Sequence, residues 1–146
     1  MIAKIIITLL VVLVGYMFYK NSNAPSYLGI HNGKFAPMPS TPNAVSSQTD
    51  DPEKSVDALS FKDLDSAKQK VVSVLRTMGG NKIEEDDGNY LHVVFTTPTM
   101  KYNDDVELYF DTNSGLLHYR SQSRTGYSDK GLNRERYNQF STLYNE

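Results

Sequence analysis

The hydrophobic pattern of the chain changes character twice. From Ile5 to Tyr19 there is no charged residue, and Lys4 and Lys20 bracket the run. As a helix this run is about 22 Å long; Met1 to Ala3 and snorkelling of the lysines extend it toward the roughly 30 Å of a bilayer core. Tyr16, Phe18 and Tyr19 gather at its far end, as interfacial aromatics do. Five of the six prolines, Pro25, Pro37, Pro39, Pro42 and Pro52, then fall between residues 21 and 60. Proline removes amide donors and fixes φ, so this stretch predicts an extended, loop-like region. A small hairpin through His31-Asn32-Gly33 fits inside it.

From Asp63 onward the pattern is regular. Leu64, Ala67, Val71, Val74, Leu75 and Met78 recur at helical spacing, with Asp63 or Asp65 to cap the start and Gly79-Gly80 to end it. Period two follows. "NKIEE" leads through the turn Asp86 to Asn89 into "YLHVVFTT", where Leu91, Val93 and Phe95 share a face. In "DDVELYFD", Val106, Leu108 and Phe110 alternate against Asp105, Glu107 and Tyr109, and the turn Thr112 to Gly115 returns the chain through "LLHYRSQS". A last helix over about 132–144 presents Tyr137, Phe140, Leu143 and Tyr144. The order predicts an α+β fold: an N-terminal transmembrane helix, then one domain with an antiparallel meander of about four strands and two helices packed on one face. The expected spans are 1–24 for the anchor, 25–60 for a Pro-rich extended region belonging to the domain, and 61–146 for the core.

An apolar N-terminus is also the mark of a cleaved signal peptide. The best small-x-small site here is Ser22-Asn23-Ala24, and Pro25 stands where the first mature residue would be. No cysteine is present to accept a lipid. An uncleaved anchor is therefore the expectation, with Lys4 and the amino terminus favouring N-in insertion and residues 21–146 across the membrane.

Composition narrows the chemistry. The chain has 146 residues and no cysteine, which removes disulfides, zinc ribbons, iron–sulfur sites and thiol nucleophiles. A net charge of −2 lacks the basic surface that nucleic acid requires. Against that background "RSQSRTGYSDKGLNRER", Arg120 to Arg136, stands out for its density of arginine and serine. If Ser128 or Asp129 caps the last helix, the free amides of its first turn lie near Arg124 and Arg134, an arrangement suited to an anion. Asp104, Asp105 and Glu107 sit on the preceding strand at hairpin distance and could instead pair with the arginines, as ion-pair networks that imitate sites do.

Catalytic patterns fail on spacing. "GYSDKG" is one residue too long for a Gly-x-Ser-x-Gly elbow, and Leu132-Asn133 stand where a P-loop needs Lys-Ser/Thr. His92 and His118 have no joint ligand spacing, and Asp104 and Asp105 point to opposite faces of one strand. No metal and no cofactor is expected.

These residues resemble the domain-of-unknown-function 1499 family of bacterial and plastid-lineage proteins. "LGIHNGKFAPMPSTPNAVSS", the helix with its approach, "DDVELYF" and above all Arg120 through Arg134 carry the likeness. The family usually has cysteines where this chain has Met38 and Ala44, so the resemblance implies the loss of one disulfide. It also implies a domain facing a non-cytoplasmic compartment, and it supplies no activity. The functional reading is a membrane-anchored binding or assembly module. In it Arg120, Ser123, Arg124, Ser128, Asp129, Asn133 and Arg134 hold an anionic group on a lipid, envelope polymer or membrane protein. Two alternatives stand beside it: a hydrolase with Asp129 or His118 as base, and a purely structural latch supported by Asp104, Asp105 and Glu107.

Overall fold

Helix α1 (Ile2–Ser22) is continuous over 21 residues and none of its residues is buried. At 1.5 Å per residue it is about 31 Å long, and it is apolar enough to cross a membrane. The computed structural model describes the whole chain, Met1–Glu146. After α1 come β1 (Ala44–Ser46), β2 (Leu59–Ser60), α2 (Leu64–Met78), β3 (Asn81–Asp87), β4 (Tyr90–Thr96), β5 (Asn103–Asp111), β6 (Leu116–Ser123) and α3 (Leu132–Asn145). The α+β class holds. The sheet, however, has six strands in the order β1-β6-β5-β4-β3, with β2 also paired to β6, rather than about four. The two additional strands come from the proline-rich region. Ala44 to Ser46 and Leu59-Ser60 each find a row of free hydrogen-bonding groups on the outer edge of β6.

Local chemistry explains the elements. The Asp63 carboxylate accepts the Ser66 amide at 2.8 Å and so caps α2. Ala67, Val71, Val74 and Leu75 form its buried stripe. The meander β3 to β6 is antiparallel throughout, and its central hairpin pairs Asp111 with Leu116, Glu107 with Arg120 and Asp104 with Ser123. Around Asn32 (φ 53) and Gly33 (φ 76) the chain makes a two-residue turn, with His31 and Lys34 exchanging amide–carbonyl bonds of 2.8 and 3.1 Å. Positive φ at both turn residues is what the tightest hairpins demand.

Both domain helices lie on one face of the sheet. Between helices and sheet is an apolar cluster of 18 buried residues, among them Val71, Leu75, Leu91, Val93, Val106, Leu108, Phe110, Leu117, Tyr119 and Phe140. Tyr119 anchors one end, its ring 5.2 Å from Tyr137 and 5.3 Å from Phe140. Burying each large side chain of this kind is worth about 1.5–3 kcal/mol, which makes this layer the main driving force for folding. The opposite face is different. It carries His92, Asp105, Glu107 and Arg120, all buried. The arm that follows α1 lies across it: the Gly29 amide reaches Glu107 and the Tyr27 ring covers Arg120.

Candidate functional site

The arginine-rich stretch spans the end of β6, a turn and the start of α3, and strand alternation decides where each side chain goes. Arg120, Gln122 and Arg124 project to the arm-covered face, while Ser121 and Ser123 project to the helix face. The sheet therefore divides the expected corner into two polar clusters.

On the arm-covered face two carboxylates are each met by one arginine. Arg120, only 1% exposed, donates from Nη1 to Glu107 Oε2 at 2.6 Å and from Nη2 to Gln122 Oε1. The other Glu107 oxygen accepts the Tyr90 hydroxyl at 2.9 Å and the Gly29 amide at 2.8 Å. Gly29 holds φ 110, a backbone region closed to residues with a Cβ, so glycine is what lets this amide face the carboxylate. The Tyr27 ring lies 5.0 Å from the Arg120 guanidinium carbon and completes the enclosure. Burial, followed by the negative charge of Glu107, pushes the Tyr90 phenol well above its usual range, so Tyr90 stays a donor.

Arg124 forks onto Asp105, with Nε to Oδ2 at 2.9 Å and Nη2 to Oδ1 at 2.7 Å. His92 Nε2 lies 2.8 Å from Asp105 Oδ1. Burial acts against the Asp105 carboxylate, but hydrogen bonds from His92 and Arg124, and the charge of Arg124, outweigh it and hold its pKa below the ordinary value. An ionised carboxylate only accepts, so His92 Nε2 carries the proton. The remaining Arg124 nitrogen, Nη1, donates to the Asn21 carbonyl in the last turn of α1 at 3.0 Å. Asn21 does more. Its side chain accepts the Asn103 amide at 2.8 Å and donates to the Lys101 carbonyl at 2.8 Å, and its carbonyl accepts Asn103 Nδ2 at 2.9 Å. The end of the apolar helix is thus fastened to the start of β5 and the end of β6.

The helix-face cluster centres on Asn133, which is wholly buried. Its Nδ2 donates to Asn43 O at 3.0 Å, Ser123 Oγ at 3.0 Å and Asp129 Oδ2 at 2.7 Å. Its Oδ1 accepts Ser121 Oγ and, at 2.7 Å, Arg136 Nη1. Arg136 also donates to Asp104 Oδ2 at 2.6 Å and lies 4.8 Å from the centre of the Phe95 ring. Asp129 caps the turn into α3 from two residues before the N-cap Gly131: its carboxylate accepts the Gly131 amide at 3.0 Å and the Asn133 amide at 2.8 Å. The exposed Ser128 hydroxyl accepts the Lys130 amide at 3.1 Å. Arg134 turns away and donates to the Ser55 and Glu53 carbonyls at 3.1 and 2.9 Å, tying α3 to the loop before β2.

The residues expected to hold one anion therefore do not converge. Arg120 and Arg124 lie on one side of the sheet and Ser123 and Asn133 on the other, while Arg134 binds a loop. Asp104, Asp105 and Glu107 each take one arginine: Arg136, Arg124 and Arg120 respectively. The two residues weighed as general bases are also engaged: Asp129 in the cap, and His118 with Ser47 Oγ at 3.2 Å and stacked on Tyr109. Burial lowers the His118 pKa against an opposing effect of Asp111. The sequence reading missed Arg136, Asn43 and Asn21. Arg136 was findable, because Asn133, Arg136, Tyr137, Phe140 and Tyr144 form one helical stripe. Asn43 stood in the stretch that carries the family likeness but, like Asn21, gave no sign of its role, since its partners lie roughly eighty or more residues away in the chain.

A family profile described as "Protein of unknown function (DUF1499)" matches residues 34–143, well over half the chain, and the chain belongs to that family. No curated protein and no solved structure matches it. The matched span contains all three arginine–carboxylate pairs, while Tyr27, Gly29 and Asn21, which close over two of them, precede it.

Proposed function

We propose that this DUF1499-family chain is a single-pass protein of a bacterial inner membrane, inserted N-in, that carries its domain on the periplasmic surface as a binding or assembly module. In this reading the arginine network is a latch, and ligands or partners are met on another face. The observation that carries the reading is the fastening of Asn21 to Asn103, Lys101 and Arg124. Without a flexible linker, the domain keeps one attitude toward whatever surrounds α1. A module that positions a surface benefits from this; a free-roaming domain does not. The latch is supported by its pairing, in which Arg120 Nε alone among the Arg120 and Arg124 guanidinium nitrogens lacks a partner. Each buried carboxylate has its own arginine, and an added anion would have to displace Asp105 or Glu107 from a desolvated pair. A non-enzymatic role is favoured by the engagement of Asp129 and His118 in structural bonds.

Two measurements test this on the full chain. A periplasm-active reporter fused after Glu146 is expected to be active; an inactive one, with a cytoplasm-active reporter functioning at the same point, refutes the orientation. For the latch, melting is followed with and without inorganic phosphate in wild type and Arg124→Ala. The expected result is no phosphate shift and a melting point several degrees lower for the variant. A phosphate-induced rise in wild type that Arg124→Ala abolishes would restore the anion-site reading.

A further inference from the structure

Asn21 fixes where the membrane must be if α1 spans it, and two loops lie at that level. The β4–β5 loop, Thr97 to Tyr102, and the β6–α3 loop, Thr125 to Lys130, flank α1 on the side of its exit. Met17, one helical turn before Asn21, lines a groove of about 330 Å³ together with Thr97, Tyr102, Gly126, Ser128 and Lys130. One turn is about 5.4 Å, so the loops reach back along α1 into the depth of its terminal aromatics, Tyr16, Phe18 and Tyr19. That depth matches the headgroup layer, about 5–8 Å thick on each side of the hydrocarbon.

The loop side chains suit that layer. Outside α1 the exposed large hydrophobic residues are Ile83 (36%), Met100 (63%), Tyr102 (39%) and Tyr127 (75%), and all but Ile83 lie on these loops. Such clustering marks a surface that meets another phase, and tyrosine is a residue of membrane interfaces. Each loop also has one lysine, Lys101 and Lys130, both exposed. Both hold φ 55, a conformation uncommon outside glycine and asparagine. The backbones around them are braced: Tyr102 donates its amide to Thr97 Oγ1 at 2.9 Å, and Lys130 donates its own to Ser128 Oγ at 3.1 Å. Two outward-pointing cations are thus presented on stiff loops beside the anchor.

We infer that these loops form a collar that rests on the bilayer, with Met100, Tyr102 and Tyr127 entering the headgroup layer and Lys101 and Lys130 on the phosphates of anionic phospholipids. The inference depends on α1 spanning the membrane, as proposed above. The collar, the clamp at Asn21 and the anchor then form one continuous contact with the lipid.

The chain contains no tryptophan, so single probes can be placed cleanly. Phe18→Trp, Tyr127→Trp and Asn113→Trp report the anchor, the collar and the far turn. Each full-length variant is reconstituted into phosphatidylcholine vesicles with and without phosphatidylglycerol, using lipids brominated on the upper acyl carbons as quenchers. The expectation is strong quenching at Phe18→Trp, clear quenching with a blue-shifted emission at Tyr127→Trp, and none at Asn113→Trp. Phosphatidylglycerol deepens the Tyr127→Trp quenching, and the added pair Lys101→Gln and Lys130→Gln removes that gain. If Tyr127→Trp behaves like Asn113→Trp while Phe18→Trp is quenched, the collar is wrong and the anchor stands. If Phe18→Trp is also unquenched, the anchor reading fails and takes the collar with it. Quenching at Tyr127→Trp that ignores both phosphatidylglycerol and the lysines overturns the assignment to anionic lipid.

Discussion

The two faces of one sheet are held by largely opposite physics, with the Asp104–Arg136–Asn133 cluster at one end of the helix side as the exception. On the helix side, Leu91, Val93, Val106, Leu108 and Phe110 pack against α2 and α3, and stability scales with apolar area removed from water. On the arm side, His92, Asp105 and Glu107 alternate with those residues on β4 and β5, and Arg120 of β6 and Arg124 just beyond it join them, all buried but polar. Desolvating each ion costs several kcal/mol, and the pairs recover that cost only through close geometry and complete hydrogen bonding. The apolar face tolerates imperfect fit, because a cavity costs in proportion to its size. The charged face does not, because one missing partner strands a charge. Burial alone says little about a layer's stability; what the buried atoms touch decides it.

The sharpest test removes one member from each face. Arg120→Met leaves Glu107 buried with only Tyr90 and Gly29 as donors, and is expected to cost about 3–5 kcal/mol, a fall in melting temperature of about 10 °C or more. Phe140→Ala should cost a similar amount, about 3–5 kcal/mol, by opening a cavity. Their rescue differs. Adding Glu107→Leu to Arg120→Met should recover part of the loss, since the stranded charge is removed while Tyr90 and Gly29 lose their acceptor; a double variant no more stable than Arg120→Met would break the distinction. Asn133→Ala removes the hub of the helix-face polar cluster and should cost about 3 kcal/mol in thermal or denaturant unfolding, because Arg136 and Ser123 lose partners. Asn21→Ala, at the partly exposed clamp, should cost about 1 kcal/mol while raising hydrogen exchange at the Asn103 amide.

The smallest effect is acid sensitivity. His118 and Asp105 both have folded pKa values below their unfolded ones, so both contribute stability at neutral pH that is lost on acidification. The His118 contribution begins to fall as pH drops below about 6.5, and that of Asp105 below about 4. Melting followed from pH 8 to pH 3 should decline in that order. His118→Gln should remove the upper phase and leave the lower one; a single phase near pH 4 in wild type would show that His118 does not contribute.

α2, β4, β5 and β6 were legible because their apolar residues keep a strict period, and counting outward from the Thr112–Gly115 turn already places Glu107 opposite Arg120. β1 and β2 were not, because strands of three and two residues have too little pattern and depend on an edge far along the chain. The charged face was half legible. Asp105, Glu107 and Tyr109 read as the solvent side of an amphipathic strand, and local pattern cannot reveal that an arm containing Tyr27 and Gly29 returns to cover them. For the same reason the arginines read as one corner. Their adjacency in sequence conceals the alternation that sends Arg120 and Arg124 to one side of the sheet and Ser121 and Ser123 to the other.

The rigid exit of α1 has a geometric consequence. β5 starts at the clamp and runs nine residues to Asp111, a rise of about 26 Å, so the far turn at Thr112–Gly115 is held at a set distance from the anchor. A domain on a slack tether explores a volume. If α1 spans a membrane, as proposed, the tip stays within a fixed reach of the bilayer, and a membrane-resident partner shares its two-dimensional search. Anchored in that way, the molecule would work as a gauge as much as a tether.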